Sequence, residues 1–149
     1  MLQKTVLKIF VGILVLFLWA SCSSKTEKVV KEKYADGKAQ HTQEYRLNDN
    51  GAKTTLSKET FYFPEEKKYI EGTYNTQEKR DGKWVSWYEN GLKNSEGNYK
   101  NGVLDGKYTV WYSNGIVYYK GQYRNGQKIG TWVFYDTLGV QIKKVNYTK

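Results

Sequence analysis

From Tyr34 onward, short runs of aromatic and β-branched residues alternate with clusters of Asn, Asp and Gly. Lys83-Trp84-Val85-Ser86-Trp87-Tyr88 is one such run, and Asn90-Gly91 follows it. That pair suits a two-residue type I′ turn, in which both central residues need positive φ. A return strand is predicted from about Leu92 to Tyr99. The next connection, Lys100 to Gly106, carries two further turn pairs, Asn101-Gly102 and Asp105-Gly106, so the chain reverses again. The predicted element is a β-hairpin, and the predicted chain a meander of hairpins.

The pattern repeats every 24 residues without an insertion. Gly82, Gly106 and Gly130 open the units; Trp84, Tyr108 and Trp132 follow, then Trp87, Trp111 and Tyr135. Gly91, Gly115 and Gly139 come next, then Gly97, Gly121 and Val145, and last Tyr99, Tyr123 and Tyr147. A fixed period of this size marks a repeat architecture, in which each unit buries its apolar surface only against its neighbours. Degenerate copies are visible in 34–81, where Tyr34-Ala35-Asp36-Gly37, Asn50-Gly51 and Phe61-Tyr62-Phe63 echo the later units. About five hairpins, or roughly ten strands, are expected, with clear units at 82–105, 106–129 and 130–149. A two-residue turn at Asn90-Gly91 places Trp84 opposite Gly97 and Tyr108 opposite Gly121, with each ring covering the bare backbone of that glycine. In the third unit Leu138 replaces the turn Asn and Val145 the cross-strand Gly. The expected fold is an elongated all-β antiparallel meander with aromatics on both faces. Trp84, Tyr88 and Tyr99 are assigned to one face, and Val85, Trp87 and Leu92 to the other. A closed sandwich would require cleaner alternation of aliphatic and polar residues.

Residues 1–21 follow a different logic. Lys4 and Lys8 precede an apolar run from Ile9 to Trp19, interrupted only by Gly12, and Ala20 and Ser21 lead to Cys22. The run is short of the roughly 20 residues that a membrane-spanning helix needs, and its order is that of a secretory signal. Cys22 is the only cysteine, so no intramolecular disulfide can form. Leu18-Trp19-Ala20-Ser21-Cys22 resembles the lipobox of bacterial lipoproteins, which implies cleavage before Cys22 and a lipid on its thiol. Residues 22–33, rich in Lys and Glu, are expected to form a flexible charged tether, and the repeat domain to occupy 34–149.

Composition changes this picture little. The formal charge is +9, of which Lys4 and Lys8 supply two, and the lysines are scattered rather than blocked. No nucleic-acid partner is expected of an exported chain. His41, the only histidine, stands in a polar stretch and is expected in an exposed loop, which leaves a His-based triad without support. No metal-ligand spacing is present, and the glycines sit at hairpin turns where a phosphate loop would open a helix. Acids do not hold their place between units: Glu96 becomes Lys120 and Lys144. Neither catalytic residues nor cofactors are expected.

Gly82-Lys-Trp-Val-Ser-Trp-Tyr-Glu-Asn-Gly91 and Gly106-Lys-Tyr-Thr-Val-Trp-Tyr-Ser-Asn-Gly115, with Glu96-Gly-Asn-Tyr99 and Lys120-Gly-Gln-Tyr123, resemble the bacterial variant of the MORN repeat. That variant occurs in YwqK-like antitoxin proteins and in exported 24-residue repeat proteins. The resemblance implies hairpin repeats used for protein or membrane association, and no enzymatic activity. The leading expectation is a lipoprotein of the cell envelope, held to the membrane through Cys22, that binds another envelope protein. Its binding strip is expected at Trp87, Tyr88, Trp111, Tyr112 and Tyr135, since aromatic rings offer large contact area at low entropic cost. Cell-wall polysaccharide binding by the same rings and an antitoxin-like partner role are the alternatives.

Overall fold

A computed structural model describes residues 25–147. The signal segment and Cys22 lie outside the described residues. The chain forms β1 (Thr26–Lys33), β2 (Ala39–Leu47), β3 (Lys53–Tyr62), β4 (Lys68–Tyr74), β5 (Arg80–Trp87), β6 (Lys93–Lys100), β7 (Val103–Trp111), β8 (Val117–Arg124), β9 (Gln127–Tyr135) and β10 (Gln141–Tyr147). These pair in chain order into one ten-stranded antiparallel sheet. There is no helix among the described residues. The expected meander of hairpins is therefore present, although it begins earlier than the sequence suggested. β1 occupies most of the stretch assigned to a tether, pairing Thr26 to Lys33 with β2. Its alternating Lys and Glu residues had the composition of a linker, but charged side chains are equally common on an edge strand, where they discourage pairing with other chains.

The Asn-Gly turns divide into two kinds. Asn101-Gly102 and Asn125-Gly126 have positive φ at both residues and join Lys100 to Val103 and Arg124 to Gln127, as type I′ turns do. At Asn90-Gly91 only the glycine has positive φ, at 83°. There Gly91 N donates to Tyr88 O, and Tyr88 N to Leu92 O, which makes a three-residue loop closed by a left-handed glycine. The same hydrogen bonds recur at Tyr112 to Ile116 and Asp136 to Val140, so Leu138 leaves the turn intact. Asp136 helps there by accepting from the amides of Leu138 and Val140. An odd loop should shift the register by one residue and turn every side chain to the wrong face. A bulge beside each loop undoes the shift: Ser86 pairs with Ser95 but Trp87 with Lys93, leaving Asn94 extra. Tyr118 and Ile142 are the extra residues of the next two units. The expected pairings Trp84 with Gly97 and Tyr108 with Gly121 thus hold, through a different loop from the one expected.

The sheet has a single layer, and its only fully covered large apolar side chains among the described residues are Trp84 and Trp132. One face, called A, carries both tryptophans. Each glycine of the row Gly72, Gly97 and Gly121 lies under an aromatic ring, although not the ring anticipated from the hairpin. Trp84 rests on Gly72 in the preceding strand, Tyr108 on Gly97 and Trp132 on Gly121. Val145 explains the direction. It stands opposite Trp132 on β10 and offers a side chain where the other units offer bare backbone, so Trp132 leans back onto Gly121. Tyr108 then takes Gly97, and Trp84 takes Gly72. Edge-to-face tyrosines wedge each tryptophan: Tyr74 and Tyr99 beside Trp84, Tyr123 and Tyr147 beside Trp132.

A Cβ at Gly121 would overlap the Trp132 ring. Gly121→Ala should cost about 1–3 kcal/mol or more in urea unfolding, because the ring has no second bed to move to. Val145→Ala, on the same row with no ring upon it, should cost less than about 1 kcal/mol. Equal losses would show that the rings do not depend on bare backbone.

Candidate functional site

Face A has a polar end. Gln43 pairs with Glu59, and Glu59 with Gly72, so the row of rings and glycines continues into a carboxylate. His41 Nε2 lies 2.9 Å from Glu59 Oε1 and Gln43 donates to the same oxygen at 2.8 Å, while the Tyr74 hydroxyl donates to Oε2. His41 is not the exposed loop residue the sequence suggested. It lies on β2, 8% exposed, stacked on Phe61 with ring centroids 4.1 Å apart. The N-terminal units lack tryptophans, and these polar side chains fill the row with hydrogen bonds in their place. Burial works against ionisation of Glu59, but the hydrogen bonds from Tyr74, Gln43 and His41 outweigh it and hold its carboxyl below the usual range. Tyr74, buried and donating to that carboxylate, is pushed up to about 12. The cluster acts as a clamp: it fixes Tyr74, which packs edge-on against Trp84.

Face B carries Trp87, Trp111 and Tyr135. They are half-buried, and each has an ammonium above its ring: Lys68 over Trp87 at 5.8 Å, Lys93 over Trp111 at 5.6 Å and Lys120 over Tyr135 at 5.5 Å. Lys28 over Tyr62, at 5.5 Å, extends the series toward β1. Cation and ring attract each other most where water is partly excluded. Val85 and Trp87 share this face, and Trp84 and Tyr99 share face A, as the alternation required. Tyr88 and Tyr112 have a separate role. Their hydroxyls donate to Trp111 O at 2.8 Å and Tyr135 O at 3.0 Å, each in the following unit. Asn90 and Asn114 make parallel bonds to Ser113 O and Thr137 O. Of the five residues anticipated as a strip, three form the cation-capped row and two staple one hairpin to the next.

Between the rings run ion pairs that sequence reasoning missed. Glu71 is held by Lys58 and Lys68, each at 2.9 Å, and Glu96 by Lys83 at 3.0 Å and Lys93 at 2.6 Å. The Lys93 hydrogen bond, opposed by burial and aided by Lys83, holds Glu96 below the ordinary carboxylate range. The signal was present as alternating charge at fixed places in two units, but only the register shows which lysine meets which acid. Toward β10 a groove of about 420 Å³ opens on this face, lined by Lys107, Thr109, Lys120, Gln122, Thr131 and Val133. No group of three or more His, Cys, Asp or Glu side chains placed to hold a metal ion occurs among the described residues.

The fold and surface thus define a single-layer hairpin-repeat sheet with a clamped aromatic face and a cationic aromatic face. Compared with protein-family models and with curated protein sequences, the chain matches none.

Two titrations bound the stability of this sheet. Glu59, Glu71 and Glu96 are all held below the ordinary glutamate value of 4.5 in the folded state. Their contribution is complete above that value and is lost as pH falls through the depressed ones. Tyr74 has the opposite sign: its contribution is complete below pH 10 and is lost as pH rises toward about 12. Urea midpoints measured against pH should fall in both limbs. Glu59→Gln should flatten the acid limb and Tyr74→Phe the alkaline one, whereas unchanged slopes would rule out the clamp as their source.

Proposed function

We propose that this protein is a non-enzymatic, lipid-anchored envelope protein whose MORN-like hairpin sheet is a scaffold for another envelope protein. The observation that carries this reading is the row of Trp87, Trp111 and Tyr135 on an uncovered sheet face, each ring beneath a lysine ammonium. Aromatic anchors flanked by cations suit protein recognition, because a ring supplies contact area with few torsions to freeze while the charges steer the partner. The repeat spaces these anchors evenly, so that a partner can be gripped at several points along the sheet. Residues 1–22, with the lipobox-like run into Cys22, supply the argument for anchoring. Several acyl chains, at about 0.8 kcal/mol for each buried methylene, would keep the scaffold on the membrane.

Cells fed a labelled fatty acid should incorporate it into the natural chain and not into Cys22→Ala, which should leave the membrane fraction. Cross-linked envelope proteins recovered with the natural chain should decline by about tenfold with Trp87→Ala/Trp111→Ala, provided the variant keeps its strand circular dichroism. An unlabelled, cytosolic natural chain would sink the anchoring, and recovery indifferent to the two tryptophans would sink the scaffold.

A further inference from the structure

The repeat provides its own reference for reading the groove on face B. In the unit beginning at Gly82, Lys83 on β5 and Glu96 on β6 occupy diagonal positions, since Lys83 pairs with Asn98 and Val85 with Glu96. Their side chains meet at 3.0 Å, and Lys93 closes on the other carboxylate oxygen at 2.6 Å. One unit later the same diagonal joins Lys107 on β7 to Lys120 on β8, as Lys107 pairs with Gln122 and Thr109 with Lys120. The first lysine is kept, but the acid has become a second lysine. The position of Lys93 passes to Val117, and 106–129 contains no Asp or Glu to balance the two lysines. Lys144 repeats the reversal on β10, opposite Val133.

Two ammonium groups on a cross-strand diagonal repel each other, and like charges there destabilise a sheet unless an anion comes between them. The place for that anion is open. Lys107 and Lys120 both line the groove of about 420 Å³, together with the hydroxyl of Thr109 and the amide of Gln122, all able to donate to a carboxylate, while the Thr131 hydroxyl on its wall donates to Asn146 Oδ1 at 2.7 Å. No carboxylate among the described residues lines it. The ring of Tyr135 lies beneath the Lys120 ammonium, at 5.5 Å, as an apolar flank.

We propose that this groove receives an Asp or Glu carboxylate from an acidic segment of the protein partner, which supplies the negative charge that Glu96 supplies one repeat earlier. The inference rests on the scaffold reading above and gives the partner its chemistry. A protein side chain is the favoured source because Glu96 shows such a carboxylate held by lysine ammonium groups, Lys83 and Lys93, on the equivalent pair of strands. Lys144 lies two strands from Lys120, roughly 10 Å at ordinary strand spacing, and offers a second contact to an acidic residue farther along the same segment.

The full chain would be titrated, at low ionic strength, with a fluorescent peptide of alternating Glu and Gly and with its Gln counterpart, following anisotropy. The Glu peptide should bind at least about tenfold more tightly than the Gln peptide, and added salt should weaken it. Lys120→Glu rebuilds the internal ion pair with Lys107 and should reduce the affinity by about tenfold or more without loss of stability. Lys143→Glu makes the same charge change on face A and should alter it by less than about twofold. Equal binding of the two peptides, or affinity unchanged in Lys120→Glu, would overturn the proposal. So would binding of polyuronate or of phosphatidylglycerol vesicles in the absence of peptide binding. Envelope-protein capture that survives Lys120→Glu but is lost with Trp87→Ala/Trp111→Ala would overturn the groove while leaving the scaffold standing.

Discussion

A ring lying flat on a bare strand is the contact on which the remaining packing depends. A single-layer sheet has no opposite layer to bury its side chains, so apolar area must be covered within the plane of the sheet itself. Trp84 and Trp132 achieve this by lying along the backbone of Gly72 and Gly121, with Arg80 and Lys128 over their outer faces at 3.9 and 4.5 Å. Each indole thus has backbone beneath it, tyrosine edges at its sides and a cation above it. The arrangement conceals large aromatic surfaces without a second sheet, and it requires glycine on one neighbouring strand in every unit.

That requirement organises the rest of the molecule. A glycine bed supports one ring, so the rings must all lean in the same direction, and the two ends of the array need different treatment. At β10, Val145 removes the bed and sets the direction of the lean. Toward β1 the rings give way to Glu59 and its hydrogen-bonded partners, which hold Tyr74 against Trp84. Loop chemistry serves the same end. The three-residue loops deliver Tyr88 and Tyr112 to the backbone of the next unit, and the adjacent bulges restore the alternation that keeps Trp84 and Tyr108 on face A and Trp87 and Trp111 on face B.

The meander, the strand count and the cross-strand partners of Trp84 and Tyr108 were legible because glycine, turn Asn and aromatics recur at one spacing. The loop type was not, because Asn-Gly serves both turn classes and a bulge conceals the difference by returning the register. β1 was hidden by its charge, since an edge strand and a solvated linker share a composition. His41 was misplaced for a related reason. Its partner Glu59 is 18 residues away, and nothing local marks a polar residue that will be covered by another. Ring positions could be counted from the sequence, but only the hydrogen bonds separate Trp87 and Trp111 from the stapling Tyr88 and Tyr112.

Charge reversal on a repeated site carries information that composition averages away. A net charge of +9 says little when lysines are scattered. Placed on the sheet, the same lysines resolve into two kinds. Lys58, Lys68, Lys83 and Lys93 enclose Glu71 and Glu96, two lysines to each carboxylate, and each is ion-paired where it stands. Lys107 holds the place of Lys83, while Lys120 stands where Glu96 stood and Val117 where Lys93 stood, so two lysines line an open groove. Because neighbouring units share backbone, register and spacing, the occupied clamp is an internal control for the open groove. The chemistry missing from the latter is the carboxylate that the former contains, and for a scaffold that carboxylate would come from its partner.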